Sequence, residues 1–182
     1  MKRILAIAVC CICAAGAGAQ TVKDKAQSMG EKTGVDSALG VTPSTPEFVK
    51  DVAISDMFEV QSSQLAAERG GAATKKFAEQ MVSDHQKTTA ELTSVLKSAN
   101  ADVMPPQQMD DSHQKMLDKL KSLNGDAFDR RYRADQVEAH KTAVSLFQRY
   151  AKGGDNPALK DWAGKIEPEL NSHLQMAEAL PH

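Results

Sequence analysis

An all-α fold is predicted: an up-down four-helix bundle in which a long crossover, carrying a short extra helix, joins the two middle helices. Three observations predict it. Apolar residues recur at helical spacing in four stretches of more than 20 residues, while strand-type alternation is absent. Capping residues, prolines and glycine pairs bracket those stretches. The connections between them run short, long, short.

The chain begins Met1-Lys2-Arg3, continues apolar from Ile4 to Ala15, and reaches Ala17-Gly18-Ala19 before Gln20. A charged start, a short hydrophobic run and a small-x-small site form the pattern of a secretory signal peptide over 1–19, with cleavage after Ala19. The run is about 12 residues, short of the roughly 20 that span a bilayer as a helix. Cys10, Cys11 and Cys13 raise the alternative of a lipoprotein signal, but the residues before them are Val9, Cys10 and Ile12, where lipid attachment wants a small one. The expected product is exported to the periplasm, with outer-membrane association left open.

Cleavage there removes all three cysteines, so neither disulfides nor thiolate ligands remain. It also leaves 20 basic against 24 acidic residues, a balance that argues against nucleic acid and anionic membrane surfaces as partners. Residues 20–44 are small and polar and read as a flexible linker, with a helical turn near Val35–Leu39. Residues 45–182 form the helical domain, long enough for one real core.

The first helix opens at Thr45-Pro46-Glu47, cap, first helical residue and dipole partner, and stops at Gly70-Gly71. Phe48, Val52, Phe58, Leu65 and Ala66 form its apolar stripe, and Glu59 falls among them. Glu68, in the last turn, is a solvated carboxylate. The second helix, Ala72 to Ala99, buries Phe77, Ala78, Met81, Val82, Leu92, Val95 and Leu96. His85 sits mid-stripe where a leucine is expected, with Asp84 at the edge.

Pro105-Pro106 then forbids helix, and Asp111 or Ser112 caps a short element whose stripe is Met116, Leu117, Leu120 and Leu123. Asp126 caps a long helix over Ala127–Ala151, on which Asp129, Gln136 and His140 share one angle inside an apolar face. Asn156-Pro157 restarts the chain, and the last helix carries Leu159, Trp162, Ala163, Ile166, Leu170, Ala177 and Leu180 around a central His173. Pro168 lies inside it, one turn earlier, where a kink is expected. His113 and His182 read as solvated.

Two antiparallel hairpins joined by one crossover are the connectivity of ferritin-like bundles. Each long helix contributes one inward polar candidate: Glu59, His85, His140 and His173. One carboxylate and three imidazoles suit a single borderline divalent metal such as zinc, iron or copper. Asp84, Asp129, Gln136 and Glu169 are the candidates for orienting the imidazoles. Counted from the helix starts, His173 is a few residues beyond the other three, an axial offset of several ångströms. The competing reading is a buried His/carboxylate hydrogen-bond network without metal.

No catalytic motif is recognisable, and enzyme activity is not predicted. Ser83-Asp84-His85 has the residue types of a hydrolase triad, but consecutive helical residues point in different directions. Gly-rich phosphate loops, dinucleotide fingerprints and His-Glu-x-x-His pairs are absent, and the methionines are scattered as core filler.

Five segments in order, Phe48-Val-x-x-Val52, Met57 to Ala66, Phe77-Ala-x-x-Met81-Val-x-Asp-His85, Phe128-Asp129-x-x-Tyr132 with His140, and Pro168-x-Leu170-x-x-His173, carry a resemblance to a bacterial family. The chain resembles the family called domain of unknown function 4142, from about Thr45 to Leu180. The resemblance implies an exported four-helix protein of the ferritin-like superfamily, often labelled an outer-membrane protein, with no established activity. That superfamily's di-iron motif pairs a Glu with a His three residues later. Here Val82, Val137 and Leu170 stand three before His85, His140 and His173, and Glu169 stands four before His173. A di-iron site is therefore not expected.

The reading that follows is an exported, non-enzymatic envelope bundle with a buried His/carboxylate network, acting through an envelope partner or self-association. Its alternative is a bundle that binds one divalent metal, in metal handling or envelope stress.

Overall fold

The computed structural model describes residues 40–181, and all of its regular structure is helical. The expected signal segment, the helical turn near Val35–Leu39 and His182 lie outside the described residues. Five helices follow in order: α1 (Thr45–Arg69), α2 (Ala72–Ser98), α3 (Asp111–Lys121), α4 (Gly125–Gly153) and α5 (Pro157–Glu178). Among the described residues, no helix is long and apolar enough to cross a membrane.

Local chemistry sets the ends. Ser44, not Thr45, caps α1: its N–H and hydroxyl both donate to Glu47 Oε2, at 2.8 and 2.7 Å. Thr45 is turned inward, where it bonds Asp155 and the Tyr150 hydroxyl. Asp110, one residue before the two expected caps, accepts the His113 N–H at 2.9 Å and starts α3. Asn124 stands at the cap position of α4, two residues before the expected Asp126. Asn156 caps α5 as expected, accepting from Leu159 N–H at 3.2 Å.

At the other ends, Asn100 takes a left-handed conformation (φ 46°) just past α2, and the Ala101 N–H closes on the Leu96 carbonyl at 3.0 Å. Gly70 is required by contact. A Cβ there would come within 2.7 Å of Thr74 Cγ2 and 2.8 Å of the Ala66 carbonyl oxygen. The helix α5 continues through Pro168. Residues 41 and 42, at the end of the expected linker, touch α4: Arg149 Nη1 donates to the Val41 carbonyl, and Thr42 donates to the Arg149 carbonyl at 3.5 Å.

Side-chain bonds between helix ends give their directions. The start of α1 meets the end of α4 at Thr45 and Tyr150, so these two run antiparallel. Trp162, early in α5, donates to Glu91, late in α2, at 3.2 Å. Asp129, early in α4, accepts from Gly71 at the start of α2, at 3.0 Å. Hence α2 and α4 run the same way, and residues 99–124 must travel the length of the bundle between them. The short helix α3 packs on α1 and α4 during that passage.

The interior has two apolar clusters. One holds Phe48, Val52, Leu92, Leu96, Phe147, Tyr150, Trp162 and Ile166. The other holds Phe58, Phe77, Met81, Leu117, Leu120, Phe128, Tyr132 and Leu180. Along every long helix the gap between the two clusters is filled by buried polar side chains. These are Asp56, Glu59 and Ser62 on α1, His85 and Thr88 on α2, Gln136 and His140 on α4, and His173 on α5.

Candidate metal centre

Three imidazoles meet in that polar layer. His85, His140 and His173 are each at most 3 % exposed. One ring nitrogen from each lies within 4.8 Å of the others. The ring centroids stand 5.5 Å (His85–His140), 5.7 Å (His85–His173) and 5.4 Å (His140–His173) apart, a nearly equilateral triangle. The axial offset expected for His173 does not separate it. Helices of 29 and 22 residues have ends that are not level, so counts from their starts do not measure height.

Each ring is held by an oxygen on one side. His85 Nδ1 bonds Asp56 Oδ1 at 2.8 Å. His140 Nδ1 bonds the Gln136 carbonyl, one turn back on its own helix, at 2.9 Å. His173 Nε2 bonds Asp84 Oδ2 at 3.0 Å. In a neutral imidazole the nitrogen facing an acceptor carries the proton and the other keeps its lone pair. Those other nitrogens, His85 Nε2, His140 Nε2 and His173 Nδ1, are buried without a hydrogen-bond partner. So are both carboxylate oxygens of Glu59 and the side-chain oxygen of Gln136.

Burial pushes the Glu59 carboxyl up to about 7, against the pull of the His85 charge. It would also push His85 down, but the bond from Asp56 and the charges of Glu59, Asp56 and Asp84 raise that imidazole above its ordinary value. Burial, with His85 next, drives His140 down to about 3. The same two causes lower His173, against the Asp84 hydrogen bond. His140 and His173 are thus held neutral, as ligands must be, whereas His85 holds its proton more firmly and would give it up to an incoming ion.

The expected residues divide clearly. His85, His140 and His173 converge; Glu59 is buried in the same layer and acts on His85 electrostatically, but does not join the 4.8 Å group. Asp84 reaches His173 rather than its sequence neighbour His85. Gln136 supports His140 through its backbone carbonyl, while its side-chain amide donates to the Ser62 hydroxyl at 3.4 Å. Glu169 lies with Asp84 and His173 in a second group whose ligand atoms are within 4.8 Å of one another. Asp129 does a different job, capping the start of α2 through Gly71. His113, expected in solvent, bonds Asp110 Oδ1 at 2.8 Å and packs its ring against Phe58. Glu68 is exposed, as expected. Sequence reasoning missed Asp56, although it lies three residues before Glu59 and so on the same helical face.

The triangle has the dimensions of a metal site. An ion about 2.0–2.1 Å from an imidazole nitrogen sits about 3.2 Å from the ring centroid, so three imidazoles on one ion at tetrahedral to trigonal angles keep their centroids about 5.2–5.5 Å apart. The residues therefore fit a single ion held by His85, His140 and His173, with Glu59 buried in the same layer.

The pattern Domain of unknown function (DUF4142) matches residues 30–180, which is most of the chain. The chain belongs to that family. No curated protein and no solved structure matches it. The DUF4142 match extends over all five helices and therefore over every residue of the triangle.

Proposed function

We propose that this DUF4142 protein is an exported, ferritin-like four-helix bundle that binds one divalent transition-metal ion through His85, His140 and His173, and serves metal handling in the cell envelope. One observation carries the reading: one nitrogen of each of three buried imidazoles lies within 4.8 Å of the others, and each ring has one nitrogen tied to an oxygen and the other buried without a partner. A purely structural network would use those nitrogens as hydrogen-bond acceptors, because leaving a buried acceptor unmade costs about 1–3 kcal/mol. An oxygen behind each imidazole is instead how metal-binding histidines are oriented.

Three imidazoles with one carboxyl group nearby suit zinc, iron or copper over magnesium or calcium, which prefer oxygen. The bound ion would supply positive charge to a layer that holds Asp56 and Glu59 one turn apart on α1. A site so deeply covered favours holding an ion over turning over a substrate. Export rests on the signal pattern of residues 1–19, and the ferritin-like assignment on the short–long–short connectivity with parallel α2 and α4.

Elemental analysis of the protein purified without chelator or affinity metal, beside a His85→Ala/His173→Ala variant, tests the reading. One equivalent of a single metal, lost in the variant, is the expected result. No metal in either protein after loading with zinc, copper and iron would refute it.

A further inference from the structure

The triangle is buried, so an ion needs a way in, and His173 belongs to two constellations at once. Nδ1 is buried without a partner, and one ring nitrogen of His173 lies within 4.8 Å of one on His85 and one on His140. Nε2 of His173 meets Asp84, and the ligand atoms of Asp84, Glu169 and His173 form the second group within 4.8 Å. Both carboxylates are half-buried, whereas the three imidazoles are closed off. Asp84 also precedes His85 on α2, and Glu169 stands one turn before His173 on α5. The acidic pair thus lies at the α2–α5 seam, directly outside one ring of the triangle.

We infer that Asp84 and Glu169 form a landing site for the incoming divalent cation, which passes to the buried triangle around the His173 ring. This rests on the proposed metal function. Two carboxylates attract and partly dehydrate the ion, and the His173 ring edge supplies the third donor. A neutral imidazole has one lone pair. As the Nδ1–H tautomer the ring offers Nε2 to the landing site; as the Nε2–H tautomer it offers Nδ1 to the triangle. One ring therefore serves one site at a time, and the outer site is a stage in loading, not a second store.

Stopped-flow loading of the full chain with cobalt(II), read by its visible absorption, tests this. In Glu169→Gln the bimolecular loading rate should fall about tenfold, the low end of what local charge contributes to capture rates. The final spectrum and the stoichiometry of one should match wild type. Asp84→Asn should load slowly as well, and Glu68→Gln, an exposed charge on α1, should load at the wild-type rate. Circular dichroism establishes that each variant is folded. An unchanged rate in Glu169→Gln, whatever Asp84→Asn does through its hold on His173, or equal slowing in Glu68→Gln, would overturn the landing site and leave the triangle standing. A wild-type protein that gains no cobalt absorption would overturn both.

Discussion

Asp56→Ala separates a metal-binding triangle from a decorative one. Asp56 Oδ1 holds His85 Nδ1 at 2.8 Å, and its other oxygen accepts the Thr89 hydroxyl at 3.0 Å. Thr89 keeps a second acceptor, the His85 carbonyl at 3.0 Å, so the loss falls mainly on His85. That imidazole is 3 % exposed, and removing its charged partner should cost about 1.5–3 kcal/mol in the metal-free protein. If His85 is a ligand, the lost orientation should also weaken metal binding about 10–100-fold. Urea melts with chelator and with free zinc at about 100 times the wild-type Kd measure both effects. Zinc should add about 2.7 kcal/mol to wild type, but only about 0.4–1.4 kcal/mol to the variant at the same concentration. A zinc increment equal to that of wild type would refute the reasoning, since His85 would then bind metal without Asp56 or not at all.

Two further outcomes are expected. His140→Leu replaces a buried ring that has one backbone bond and one unsatisfied nitrogen with an apolar side chain. Its metal-free stability should therefore change by less than about 1 kcal/mol while zinc ceases to stabilise it, both read from the same melts. Asp110→Ala removes the cap of α3 and should cost about 0.5–2 kcal/mol at neutral pH. Although partial burial works the other way, the backbone and side-chain bonds from His113 hold the Asp110 carboxyl below its ordinary value. A depressed folded value means that the contribution is full above the ordinary carboxylate range and is lost as pH falls through the folded value. Melts of wild type and variant should converge as the pH is taken down through and below the ordinary carboxylate range, and a gap that stayed constant throughout an acid titration would refute the assignment.

The helices were legible because period, caps and breakers are local signals. The boundaries expected for α1 and α2 agree with the structure to within a residue, while the caps of α1, α3 and α4 sit one or two residues earlier than read. His85, His140 and His173 were legible because an imidazole in a leucine's place violates the pattern around it. Asp129 shows where such reasoning fails. It shares an angle with His140 on a helical wheel, but eleven residues of helix separate them by about 16 Å along the axis. A wheel collapses that axis. Asp56 and the Asp84–His173 pair were not legible because both bonds cross between helices, and their geometry depends on how the helices stack. Nor could the ring of His113 be placed, since its contact with Phe58 depends on where the crossover lays α3 against α1.

The polar layer between the two apolar clusters also has a consequence for how the chain finds its fold. Leucine-like contacts tolerate sliding, because one apolar turn can replace the next along a helix pair. Shifting any long helix here by one turn moves its polar residue about 5.4 Å. His85 would then leave Asp56, or His173 would leave Asp84, and the displaced ring would press into an apolar cluster. The layer therefore sets the vertical register of the bundle: out-of-step packings each strand a charged or polar group, and only the aligned one satisfies them together.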